Sequence, residues 1–267
     1  MRRLLIALPL LLGACAGTSK PQDTPQPAPA EASADRLSPR QAYEEAIRLR
    51  DSNELTKAEA HLYSAARRGY SEAQYELAIW LFTARNGRED EAEGAQWMEK
   101  AAGAGHAGAR RLIWQLYLFG QGVEQSNERA FDWLKIAAEG GDAEVLYHLG
   151  LAYFEGIGTA RDPVKAAEQF LSAADKGHGG ACYYLGVMHL DGVGVQKNEQ
   201  DAFAWFATGA GFKHPACYLG MGDCYRDGRG VERSVKKARD WYTLVLLATE
   251  DGDLLDAATN RLADLGP

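Results

Sequence analysis

Three histidines, His106, His178 and His214, fall in one register of the chain, and Asp142 takes the remaining place in it. Imidazole and carboxylate are donors that a divalent metal accepts, so the set is a candidate metal site. Its spacing argues otherwise. The four positions are 36 residues apart, and on stacked helical hairpins equivalent positions lie about 10 Å from one another. A metal holds all its ligands at about 2 Å. The expectation is that these side chains cap the first helix of each hairpin and bind no metal.

Glycine pairs raise a second chemistry. Gly120-x-Gly122, Gly156-x-Gly158, Gly192-x-Gly194 and Gly228-x-Gly230 look like the start of a dinucleotide fingerprint. That motif needs a preceding strand, a third glycine and a helix N-terminus under the pyrophosphate. Gln125, Arg161, Lys197 and Arg233 stand where the third glycine belongs, so these are expected to be loop turns. Neither His-Glu-x-x-His nor Cys-x-x-Cys occurs, and no nucleophile–base–acid set can be assembled. The chain is therefore expected to be non-enzymatic and to take no cofactor. Its acids outnumber its bases by 37 to 29, which argues against nucleic acid as a partner, because phosphate binding needs a basic surface.

Four cysteines are too few for a disulfide scaffold. Cys217 and Cys224 lie seven residues apart on one expected helix, about 10 Å and beyond bridging distance. Cys182 and Cys217 lie on adjacent first helices, one residue out of register. Buried small hydrophobes are the expected role of all three, with a Cys182–Cys217 bridge left open.

The elements that position these residues follow from one period. The glycine pairs recur every 36 residues, and Ala65-Ala66, Ala101-Ala102, Ala137-Ala138 and Ala173-Ala174 keep the same phase. So do Trp97, Trp133, Trp205 and Trp241, broken only by Gln169, and Gly69, Gly105, Gly141 and Gly177. Each unit reads as two helices. In 143–178, Val145, Leu149 and Tyr153 form one apolar face widened by Leu146 and Ala152, and Gly156 closes the helix. Asp162-Pro163 restarts the chain as N-cap and first helical residue, and Ala166, Phe170, Ala173 and Ala174 face inward before Gly177. Asp90, Ser126, Asn198 and Ser234 are the equivalent caps. Gly150, Gly186 and Gly222 lie inside first helices, where glycine costs about 1 kcal/mol against alanine, so a neighbour is expected to approach closely there. Trp133, Trp205 and Trp241 are expected to fill the wedge between hairpins. No hairpin buries its apolar face alone, so the units stack. The fold expected is all-α, a right-handed α-solenoid of helix-turn-helix repeats.

At this point the chain resembles the Sel1-like repeat family, relatives of tetratricopeptide repeats. The best copy carries Ala181, Leu185, Gly186, Gly192, Gly194, Val195, Ala202 and Trp205. The resemblance places five repeats in 71–250, a degenerate repeat in 38–70, and a terminal capping helix in 251–267 with Asp253 at its N-cap. The first repeat departs from the pattern with Asn86-Gly87, and the fifth replaces its alanine pair with Val245-Leu246.

The N-terminus reads separately. Residues 1–14 carry Arg2 and Arg3, then an apolar run, Leu4 to Leu12, too short to span a bilayer but suited to a signal peptide. Leu12-Gly13-Ala14-Cys15 resembles a bacterial lipobox, which implies acylation of Cys15 and stable anchoring. Ala16 in place of aspartate favours the outer membrane and a periplasmic location. Residues 15–37, with Pro21, Pro25, Pro27 and Pro29, read as a tether of roughly 60–70 Å.

What this implies for function is a protein-binding scaffold or adaptor that a lipid anchor presents to another envelope protein. The resemblance offers two alternatives. One is a periplasmic immunity protein against a delivered toxin such as a phospholipase. The other is an enzyme directed at peptidoglycan or β-lactams, an activity linked to cysteine-rich relatives whose pattern this chain lacks. Aromatic residues are enriched at binding hot spots, and first helices are expected to line the concave side, so Tyr147, His148, Tyr183 and Tyr184 are the candidate partner-binding residues. Residues 139–175 hold seven acids against Arg161 and Lys165. Glu139, Asp142, Glu144 and Glu155 are the candidate acidic face, suited to steering a basic partner.

Overall fold

The computed structural model describes residues 34–83 and 90–266. The expected signal peptide, Cys15, most of the expected tether and Asn86-Gly87 lie outside the described residues. Among those described there are thirteen α-helices and no strand: α1 Pro39–Asp51, α2 Leu55–Arg67, α3 Ser71–Phe82, α4 Glu91–Gly103, α5 Ala107–Phe119, α6 Asn127–Ala138, α7 Ala143–Glu155, α8 Pro163–Ala174, α9 Gly179–Asp191, α10 Glu199–Gly211, α11 Pro215–Asp227, α12 Val235–Ala248 and α13 Gly252–Asp264. None of these is long and apolar enough to cross a membrane. The chain divides into two compact units between Gln125 and Ser126. The first holds α1–α5 and the second α6–α13.

The hairpins form because their ends are specified chemically. Asp90, Ser126, Asp162, Asn198 and Ser234 each accept a hydrogen bond from a first-turn amide of α4, α6, α8, α10 and α12. First helices α5, α7, α9 and α11 end on Gly120, Gly156, Gly192 and Gly228, all in the left-handed region. Asp253, expected to cap the last helix, lies instead in its first turn. Asp251 is the cap, because its carboxylate reaches the Leu254 amide at 3.1 Å while its own amide is held by Thr249.

The small-residue columns are packing notches. A Cβ at Gly150 would stand 2.6 Å from Phe170, and one at Gly186 would stand 2.5 Å from Phe206; Gly222 faces Tyr242 likewise. The neighbour that excludes a side chain is thus an aromatic ring on the paired second helix. This corrects the expected wedge. Phe170, Phe206 and Tyr242 are fully buried, whereas Trp133, Trp205 and Trp241, one residue earlier in the register, are only half-buried. The second glycine of each loop has a different neighbour. A Cβ at Gly158, Gly194 or Gly230 would fall on the carbonyl of Asn127, Pro163 or Glu199, the first residue of the preceding second helix, and Gly122 meets Glu91 in the first unit. The residues in the third-glycine place finish the turn. Gln125, Arg161 and Arg233 each donate to a carbonyl seven residues back, those of Leu118, Phe154 and Arg226, at 2.8–2.9 Å. These carbonyls belong to the last turn of a first helix, where intrahelical donors have run out.

The capping helix α13 packs Leu254, Ala258 and Leu262 on the last hairpin, and one carboxylate ties it there. Asp223 of α11 accepts from Arg261 of α13 at 2.7 Å and from the Tyr242 hydroxyl of α12 at 2.8 Å, with Arg226 at 3.1 Å.

Candidate interaction surface

The register of His106, Asp142, His178 and His214 is a register of helix caps. Asp142 accepts from the Glu144 and Val145 amides. Nδ1 of His106 accepts from the Ala109 amide at 3.2 Å, and Nδ1 of His178 from the Ala181 amide at 3.1 Å. His214 occupies the N-cap position without a side-chain cap bond. A physical reason lies two residues on. Gly108 and Gly180 leave room for the imidazole, since a Cβ on either would come within 3.1 Å of its Cε1. The third copy has Ala216 there.

Both capping histidines are plated by a tyrosine of the preceding first helix. Tyr75 stacks on His106 with ring centres 4.4 Å apart, and Tyr147 stacks on His178 at 4.2 Å. The pattern Tyr-x30-His-x-Gly thus occurs twice, once in each unit, and is the sequence signal of these plated caps.

In the second unit the four candidate partner residues fall together. Tyr147, Tyr183 and Tyr184 form a continuous aromatic group with Phe154, Phe170 and Phe206. Tyr184 lies stacked on Phe170 at 4.9 Å, with Tyr147 6.0 Å and Tyr183 5.8 Å from it. All three tyrosines are half-buried. None of their hydroxyls has a hydrogen-bond partner among the described residues, and none is sealed from solvent. Burial raises all three phenols, that of Tyr184 to about 12, with the Glu155 charge adding to the effect. They remain neutral donors. His148 differs: it is 5 % exposed and bonded through Nε2 to Glu144 at 3.1 Å, so it supports the surface from beneath.

The four candidate acids take different places in the fold. Asp142 is occupied as a cap. Glu144 bridges two repeats, accepting from His148 on its own helix and from His178 at 3.1 Å. These two hydrogen bonds, His148 first, hold its carboxyl well below the ordinary range against the opposing effect of burial. Glu139 is the C-cap residue of α6. Glu155 ends α7, about 16 Å along the helix from Glu144.

Cys182, Cys217 and Cys224 are buried free thiols. A Cβ at Gly209 would strike Cys217 Sγ and stand 2.9 Å from Cys182 Cβ, so both side chains border one notch of α10. No group of three His, Cys, Asp or Glu residues among those described could hold a metal ion.

Known proteins share this architecture. The Sel1 repeat profile matches residues 71–106, 111–142, 143–178, 180–210 and 215–244. A protective antigen of uropathogenic Escherichia coli strains superposes with a TM-score of 0.69 at 27 % identity, over 89 % of this chain and 56 % of the antigen. The chain therefore spans little more than half of that protein's length. A Sel1 repeat protein from Oxalobacter formigenes gives a TM-score of 0.63 at 28 % identity, over 88 % of this chain and 68 % of the other. An immunity protein of Pseudomonas aeruginosa is 16 % identical over 84 % of each chain at a TM-score of 0.43, a likeness too slight to bear on function. Curated protein sequences contain no match. With five matched copies of the repeat in phase, and helices whose caps and notches recur at the same period, the chain belongs to the Sel1 repeat family.

Proposed function

We propose that the chain is a non-enzymatic protein-binding scaffold, anchored through acylated Cys15 at the periplasmic face of an outer membrane, that offers Tyr147, Tyr183 and Tyr184 to another envelope protein. The observation that carries this reading is the state of the three tyrosines. Their rings are held by stacked and edge-to-face contacts across two repeats, so little rotamer freedom is lost on binding. Their hydroxyls are left without protein partners among the described residues. Immobile aromatic area with free polar tips is the composition of interface hot spots.

Photocrosslinking in cells tests the reading. A photoreactive residue at Tyr183 or Tyr184 should yield one protein adduct that is absent when the probe sits at exposed Gln200 of α10. No adduct, or the same adducts from Gln200, would overturn the assigned surface. The anchor is tested by Cys15→Ser, which should move the protein from the membrane to the soluble fraction. A deletion strain with an envelope-assembly defect supports the adaptor role. Intact assembly, with death under attack by a toxin-delivering competitor, would replace it with immunity.

A further inference from the structure

The capping register carries a consequence for pH. The Ala109 and Ala181 amides point at Nδ1 of His106 and His178. A ring nitrogen accepts a hydrogen bond only through a free lone pair, so in both residues the ring proton sits on Nε2. For His178 the second contact agrees, since its Nε2 meets the Glu144 carboxylate at 3.1 Å. Protonation of Nδ1 turns the acceptor into a donor facing another donor. It also places a positive charge at the positive end of a helix dipole.

The surroundings of the two rings differ. His106 faces Tyr75 and Glu72 of α3, and Lys100 of α4 is turned away over Trp97. Burial lowers the pKa of His106, against a smaller opposing effect of Glu72. His178 faces Tyr147 and Glu144 of α7, with His148 sharing that carboxylate. His214 lies at the start of α11, close enough for the charge of His178 to lower its pKa further after burial has done so. Asp175 and Lys176, on the turn before His178, are exposed. The equivalent place on α7 is taken by Asp142, a carboxylate whose oxygens need no particular imidazole state to accept.

We propose that His106 and His178 are proton-gated helix caps: as neutral imidazoles they close the first turns of α5 and α9, and on protonation they release them, while α7 stays closed under Asp142. Imidazole is the side chain whose unperturbed charge change lies between about pH 5 and 8, so pH 7.5 and pH 5 bracket the test. At His178 the released ring keeps its bond to Glu144 and exchanges a cap for an ion pair. Tyr147 is stacked on that ring. The same proton therefore alters how one of the three surface tyrosines is held.

Amide hydrogen exchange of the full chain, followed residue by residue, tests this with an internal control. Between pH 7.5 and 5, after correction for intrinsic rates, protection at Ala109 should fall about tenfold, the usual scale of a lost cap, and by less at Ala181, whose amide is shared with the His178 carbonyl at 3.1 Å. Protection at Val145, under Asp142, should hold. An equal fall at all three, or no fall at Ala109 and Ala181, overturns the proposal. Asparagine caps without titrating, so His106→Asn and His178→Asn should each abolish the pH dependence at their own helix; persistence in the variants would also overturn it. Ring nitrogen spectra of the unaltered chain at pH 7.5 give a separate check. Nδ1 must be the unprotonated nitrogen in both residues, and the opposite tautomer excludes the mechanism.

Discussion

Gly186 carries two opposed effects at a single atom. Replacing a helical glycine by alanine ordinarily gains about 1 kcal/mol. Here the added Cβ would stand 2.5 Å from Phe206, and one on Gly220 would stand 2.6 Å from the same ring. Phe206 is fully buried, and overpacking of this kind costs about 1–3 kcal/mol. Gly186→Ala should therefore lower the urea midpoint, and adding Phe206→Leu should recover part of the loss; a stabilised single variant would refute the notch. The thiols offer a second check at this scale. Burial pushes Cys182 up to about 11 and Cys224 to about 12, so at pH 8 little thiolate forms and none is presented. Iodoacetamide should leave Cys182, Cys217 and Cys224 unmodified in the native chain and label all three in urea. The glycine column was visible in the sequence as a repeated cost. Which neighbour imposed that cost was not, because a tryptophan column stood one residue away and only side-chain direction separates the two.

Among the elements, α13 is tied to the hairpins by one carboxylate as well as by its apolar face. Asp223 gathers Arg261, Tyr242 and Arg226, each from a different turn or helix. Asp223→Ala strips three donors of a shared acceptor at a partly buried place, a loss of about 1–3 kcal/mol. The loss should localise: exchange in α13 should rise well above that in α7–α10. Uniform acceleration across the unit would show that the carboxylate is not the joint between α13 and the hairpins. Helix ends were the most legible elements, since Asp90, Ser126, Asp162, Asn198 and Ser234 are short acceptors before amphipathic runs and all five cap as the sequence implies. The final helix was misread by two residues because its opening holds two aspartates, and backbone direction alone decides which reaches the third amide. The Glu144 bridge was read only as negative charge. Its partners, four and thirty-four residues away, meet only once α7 and α9 lie side by side.

For the molecule as a whole, acid should act in two separate ranges. His106 has its pKa lowered in the fold, so the unfolded chain takes up that proton first, and the stability it supplies drains as pH falls from about 7. Glu144 and Asp227 also titrate lower in the fold, Glu144 through His148 and His178 and Asp227 through Arg226. Their contribution is complete above the ordinary carboxylate range and is lost as pH falls below about 4. Thermal melts from pH 8 to 3 should show both declines. Glu144→Gln should flatten the lower one and leave the His106 part of the upper; an unchanged slope below pH 4 would remove Glu144 from the account.

The backward-facing glycines set a limit on distance along the chain. Gly158, Gly194 and Gly230 lean on Asn127, Pro163 and Glu199, thirty-one residues earlier, and the aromatic rings meet their glycines only twenty residues away. Nothing in this interlock waits for the far end of the polypeptide. A chain that emerges from the ribosome or a translocation pore residue by residue can lock each hairpin as soon as the next has arrived, because short sequence separation keeps loop-closure entropy small. Order of synthesis becomes order of assembly.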